Sequence, residues 1–237
     1  MVKVLMLVEG QTEERFIKKL LGPHLHQFGV YPVVILLTTK RVKNGTNFKG
    51  GIVSYTKIKQ HLQQLFNDSS AIAITTLFDY YGLPKDFPGL KSIIKSDCYQ
   101  HVESVEAAFN ADINERRFMP YLQLHEFESL LFSKPVTIAA PFEDEKTGQY
   151  RQLVKALENI RNRFKTPEEI NNRPETCPHR QIENLIPSYR KVFHGVMITS
   201  KIGLKTIRKE CPHFDKWLTQ LEALGELETG LGDKRLI

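Results

Sequence analysis

"VLMLVEGQTEERFIKKLL", residues 4–21, joins a short apolar run to an acidic, helix-forming one across Glu9 and Gly10. From Val2 to Val8 only Lys3 is polar, the pattern of a strand covered on both faces, as in a parallel sheet. Thr12 is placed to cap the next segment, with Glu13 and Glu14 in a first turn where the helix dipole favours acids. Ile17, Leu20, Leu21, His24, Leu25 and Phe28 recur at spacings of three and four, which predicts an amphipathic helix over 13–28. Gly29 ends it.

Working outward, "VYPVVILLT" (30–38) and "AIAITTLFD" (71–79) are two further buried strands, separated by an amphipathic helix over 54–66. Strand, helix, strand, helix, strand is the order of a parallel sheet with right-handed crossovers. The basic stretch 40–51 has no apolar period and is expected to be a loop. A helix around 99–114, a fourth strand over 117–124 and a helix opening at "HEFESLLF" complete this part. Beyond Ser133 the periods are helical, at about 147–164, 167–171, 178–186, 197–210 and 212–224. The expected class is α/β, a mostly parallel sheet flanked by helices. Residues 1–133 form the core in this reading, and 134–237 a helical C-terminal portion packed on it.

With 41% hydrophobic and 25% charged residues the chain can bury a sizeable core, and no apolar run nears the roughly 20 residues that span a bilayer. A soluble, cytoplasmic protein without a membrane partner is expected. The net charge of +6 permits a polyanionic partner without requiring one. Three cysteines argue against a disulfide framework. Cys177-Pro-His179 and Cys211-Pro-His213 echo each other, but C-x-H is not a usual zinc spacing, and each proline suits a helix start.

The chemistry sits at the strand exits. Glu9, Asp79 and, just past the fourth strand, Glu126 and Glu128 follow apolar runs, and ligands of open parallel sheets bind outside the strands' carboxyl ends. Carboxylates gathered there repel one another unless a cation neutralises them, and hard oxygen donors suit Mg²⁺ or Mn²⁺. Gly10 permits a sharp turn, and the helix near Thr12 aims N–H groups at an anion. Lys40, Arg41 and Lys43 in the loop, and Arg180, Arg190, Lys191 and Lys201 later, are candidate phosphate neutralisers, with Arg180 singled out at a helix start. Tyr80, Tyr81 and Phe48 offer faces for bases. Each acid has a structural alternative, as cap, turn or salt bridge.

"VEGQTEERFIKKLL", "TTLFDYYGLPKDFPG" and "LQLHEFESLLFSKP" resemble the hallmark segments of a bacterial family of unknown function with a Toprim-like (Rossmann-like) fold. Residues 189–224 are similar to that family's C-terminal segment. The Toprim superfamily, which includes the overcoming-lysogenisation-defect nucleases, places a glutamate after the first strand and Asp-x-Asp after a later one. The resemblance puts Glu9 at the first position and Asp79 at the second, while Tyr81 stands where the second aspartate is expected. Glu126 or Glu128 would then complete the metal shell. The resemblance implies Mg²⁺- or Mn²⁺-dependent cleavage of DNA or RNA, with Glu9, Asp79 and Glu126 catalytic, beside a partner ATPase of the phage-defence kind. The alternative is a non-catalytic adaptor that binds the ATPase and nucleic acid. A homo-oligomer is compatible with either.

Overall fold

The computed structural model of the chain describes residues 1–37, 54–91, 97–145, 147–170 and 176–228. In chain order the elements are β1 (Val2–Val8), α1 (Gln11–Phe16), α2 (Gly22–His26), β2 (Val30–Leu36), α3 (Tyr55–Phe66), β3 (Ala71–Asp79), α4 (Cys98–Ile113), β4 (Phe118–Met119) and β5 (Leu122–Gln123). There follow α5 (Pro135–Ala139), α6 (Thr147–Arg161), α7 (Pro178–Leu185), α8 (Val196–Ile202), α9 (Leu204–Glu210) and α10 (Pro212–Glu228). None of the described helices is long and apolar enough to cross a membrane.

The sheet is five-stranded in the order β2-β1-β3-β4, with β5 also pairing β3. The ladders of β1 with β2 and β3, and of β3 with β4, are parallel, as the strand–helix alternation predicts. Central β1 is buried throughout except for Lys3, whose amine reaches Asp68 at 2.6 Å. The fourth strand differs from its expected single run. Pro120 has no N–H to give the ladder, and the chain splits there into β4 and β5. Thr76 fills the gap: its buried hydroxyl accepts from the Tyr121 N–H (3.0 Å) and donates to the Tyr121 carbonyl (2.9 Å).

The first helix also departs from expectation. It starts at Gln11, two residues earlier than predicted, and its N-cap is Gly10 in an extended conformation with no side-chain cap bond. Thr12 is thus inside the helix and buried, not at its cap. A π turn at Ile17–Leu21 carries the helix on to α2. The run expected over 197–210 is broken into α8 and α9 at Gly203, whose φ of +79° suits glycine.

The described contacts divide the chain into two compact units. The sheet unit takes residues 1–78, 83–122 and 216–237, and the second unit takes 79–82 and 123–215. This grouping differs from a break at residue 133, because most of the last helix belongs with the sheet. Trp217 of α10 donates its indole N–H to Thr75 (2.9 Å) and stacks on Tyr121 at 4.3 Å. Those bonds satisfy polar groups that burial in the sheet unit would otherwise leave unpaired.

Candidate functional site

Two motifs read separately in the sequence are stitched together in the second unit. Asp79 Oδ1 accepts the backbone N–H of Phe127 at 2.8 Å, and Tyr81 donates its N–H to the His125 carbonyl at 3.0 Å. The turn between them forces His125 into the left-handed region, φ +59°, a conformation that non-glycine residues adopt at a cost and that clusters at functional sites. After it, Phe127–Ser133 form a fully buried 3-10 segment instead of the α-helix expected at "HEFESLLF". This geometry carries Glu128 inward.

Glu128 has no exposed surface. Its Oε2 lies 2.9 Å from the Lys191 ammonium, which also stands 3.2 Å from Asp79 Oδ2. Tyr189 donates its hydroxyl to Glu128 Oε1 at 3.4 Å, and His179 Nδ1 is 3.8 Å from the same oxygen. Glu126 points elsewhere, accepting the backbone N–H of His179 at 3.1 Å and so satisfying one of the orphan donors at the start of α7. Lys191 opens a π turn, Lys191–Gly195, of the kind often found at functional sites. Phe193 on that turn is 60% exposed.

Three carboxylates and one lysine share this region, and their titration shows how the charge is divided. Burial pushes Asp79 up, Lys191 pulls it back, and the Glu128 charge adds to the rise; the net shift is upward. Glu128 shows the opposite result: burial raises it, but Lys191 and hydrogen bonds from His179 and Lys191 more than offset this, leaving it lowered. Glu128 therefore holds its charge against the shared lysine, and Asp79 is the partner that protonates first. Glu126 is raised by burial and by the Glu128 charge. His179 is raised by its interaction with Glu128, and Tyr189 is raised by burial. Perturbed groups of this kind in one cluster are a mark of a working site.

His125 is buried, its Nδ1 has no hydrogen-bond partner among the described residues, and burial lowers it to about 4. Its folded-state value lies below the unfolded value near 6.5, so the unfolded chain binds the proton first as pH falls. Stability is expected to be full above pH 6.5, to fall by about 3 kcal/mol toward pH 4, and to lose nothing further from this group below that. Urea titrations of wild type and His125→Asn between pH 4 and 7 check this. The asparagine tolerates the left-handed backbone, and it should flatten the slope.

The other candidates from the sequence are dispersed. Glu9 and Gly10 lie in the sheet unit, Glu9 half-buried and Gly10 starting α1. Asp79, Glu126 and Glu128 lie in the second unit. Arg180 is turned to Glu183 on its own helix at 3.2 Å, not to the acids. Lys40, Arg41 and Lys43, with Phe48, fall outside the described residues. Lys191, expected as a surface cation for phosphate, is instead the counter-ion of the acids. The two Cys-Pro-His segments open α7 and α10 as helix starts, and in each the histidine N–H seats on a glutamate: His179 on Glu126, and His213 on Glu168 at 3.0 Å. None of the three cysteines is in a disulfide.

Two carboxylates, Asp79 and Glu128, face the single Lys191 ammonium, while Glu126 is turned to the His179 N–H. Among the described residues, however, no three His, Cys, Asp or Glu side chains are grouped to hold a metal ion. Lys191 lies between Asp79 and Glu128 and pairs with both.

A family model described as "Domain of unknown function (DUF4276)" matches residues 8–222. The chain belongs to this family. The DUF4276 match spans Glu9, Asp79, His125, Glu126, Glu128, His179, Tyr189 and Lys191 alike. No curated protein and no solved structure matches the chain.

Proposed function

We propose that the protein has a Toprim-like fold and cleaves phosphodiester bonds of DNA or RNA in a Mg²⁺- or Mn²⁺-dependent reaction, as the nucleic-acid-acting subunit beside an ATPase in phage defence. The observation that supports this most directly is the gathering of three carboxylates, Glu128 of them fully buried, around one ammonium where β3 ends. One lysine cannot neutralise Asp79, Glu126 and Glu128 together, so the region attracts further positive charge. Asp79 and Glu128 would hold the ion, and a bound ion would supply charge neutralisation at a phosphate and an acidified water. By the Toprim resemblance Glu9 would serve as a general acid or base. His179, raised by its interaction with Glu128, would give a proton to a departing oxygen. Exposed Phe193 offers a base a stacking face.

The alternative, a non-catalytic adaptor, draws on the Lys191 ammonium itself, which already neutralises part of the cluster. Manganese-dependent cleavage of supercoiled plasmid and labelled single-stranded RNA separates the two readings. Wild type is expected to cut at least one of them, and Glu9→Gln, Asp79→Asn and Glu128→Gln to lose cleavage while keeping nucleic-acid affinity. Wild type inert with and without the partner ATPase, yet still binding nucleic acid, would favour the adaptor.

A further inference from the structure

We infer that the cavity between α6 and the turn that follows α7 is a base pocket: it takes one unstacked nucleobase of a single-stranded nucleic acid. This rests on the nucleic-acid reading above and names the class of substrate. The cavity, of about 500 Å³, lies wholly within the second unit and has the size of a small-molecule site. Among the described residues none that lines it is charged, although 25% of the chain is. The part of a ligand that it buries is therefore neutral. Helix α6 supplies Gln149, Tyr150, Gln152, Leu153 and Ala156, whose spacings of three and four set them along one side. A second wall is the turn after α7, closed by the Tyr189 N–H on the Ile186 carbonyl at 3.0 Å, with Pro187 and Ser188 at its corners. The amides of Gln149 and Gln152, the Tyr150 phenol and the Ser188 hydroxyl have no hydrogen-bond partner among the described residues. Four unspent groups that both donate and accept thus stand beside apolar Leu153, Ile186 and Pro187. That mixture matches a nucleobase, which has apolar faces and an edge of donors and acceptors that amide side chains read in pairs. A base inside a duplex hides its faces in the stack, so only an unstacked one enters.

What lies beside the cavity fits the rest of the strand. Phe142, which lines it, meets His194 at 4.8 Å between ring centres, and the residue before that histidine is exposed Phe193. Arg190 lies between Ser188 and Phe193 in the chain; it is exposed, and its guanidinium has no partner among the described residues. One base in the cavity, the next on Phe193 and the phosphate between them on Arg190 would use this stretch as single-strand sites use aromatic platforms beside cations. Tyr189, within the same stretch, turns inward instead and gives its hydroxyl to Glu128 at 3.4 Å. The wall of the pocket and the acidic cluster are thus held by consecutive residues.

The test uses the whole chain and follows, by fluorescence anisotropy at one salt concentration, its binding to a labelled thymidine dodecamer and to an abasic dodecamer. The two strands carry the same phosphates, so a difference in affinity reports the bases. Wild type is expected to hold the thymidine strand about tenfold more tightly than the abasic one. A uridine dodecamer beside them covers RNA. Ala156→Trp fills the cavity from its own helix without removing a polar group, and it should lose most of that difference. In wild type, a strand carrying 4-thiothymidine should cross-link under ultraviolet light to residues within 149–156 or 185–188 and to Phe193, as read by peptide mass spectrometry.

Thymidine and abasic strands bound equally, or cross-links only elsewhere, overturn the pocket and leave the nucleic-acid reading standing. A cavity that serves a protein partner would leave Ala156→Trp binding the thymidine strand as wild type does, which also overturns it. No binding of any strand overturns both. The cross-links of wild type decide by themselves if Ala156→Trp does not fold.

Discussion

Lys191→Met is expected to destabilise the protein by about 3–5 kcal/mol at pH 8, the usual effect of removing one partner from a buried ion pair. The reason lies in what stays behind. Glu128 has no exposed surface and Asp79 very little, so neither can recover the lost interaction from water. Their remaining option is to take up protons, which raises their folded-state values above those of the unfolded chain. The deficit should therefore be largest at high pH and shrink as pH falls through the carboxylate range, where the folded protein binds the extra protons. Equilibrium urea unfolding at pH 8 and pH 5 measures both points. Adding Glu128→Gln to Lys191→Met removes the stranded charge and should recover a large part of the loss. A deficit that is independent of pH and untouched by the second change would point to lost packing of the lysine stem.

The same cluster shows what a sequence carries and what it withholds. Asp79 and the Glu126–Glu128 pair stand out in the sequence because they follow apolar runs, a local signal; Glu9 stands out in the same way and is grouped with the sheet unit. The α/β class was legible for the same reason: β1 and β3 are short, continuous apolar runs that only a sheet covered on both faces explains. Lys191 was visible only as one basic residue among several. Its role depends on a pairing across 112 residues, for which no local pattern exists. The left-handed turn at His125 was hidden because histidine carries no glycine-like signature, and the two bonds that hold the turn come from Tyr81 and Asp79. Pro120 was a readable breaker that an otherwise apolar stretch concealed. At Thr12 the residue type promised a cap, yet Gly10 in an extended conformation took the position, and propensity lost to the geometry of the strand exit. The repeated Cys-Pro-His announced two helix starts correctly, while the glutamates on which they seat lie 53 and 45 residues away.

Gly225→Ala is expected to destabilise the sheet unit by about 3 kcal/mol or more, the range of severe overpacking. In an ordinary helix interior the same change would stabilise by up to about 1 kcal/mol, so the sign itself is the test. A Cβ built at Gly225 would collide with the Phe28 carbonyl oxygen and lie 2.9 Å from its carbon. Both are backbone atoms just ahead of β2 and have no rotamer to yield. Helix α10 would have to move away from the chain at Phe28. The neighbouring anchors resist that movement: His24 of α2 meets Glu222 at 2.5 Å, and buried Trp217 is held by Thr75 and Tyr121. Trp217 is the single tryptophan of the chain, so its fluorescence reports this contact without interference. Gly225→Ala should unfold at lower urea, and any folded fraction should show Trp217 emission shifted to the red as the helix lifts from Tyr121. Gly203→Ala is the control: no atom lies within 4 Å of the Cβ built there, so its loss comes from the positive-φ backbone alone and should be about 1–3 kcal/mol, with Trp217 emission unchanged. Equal losses in the two variants would mean that α10 adjusts around Phe28, and that the close approach of Gly225 is not what holds the last helix to the sheet.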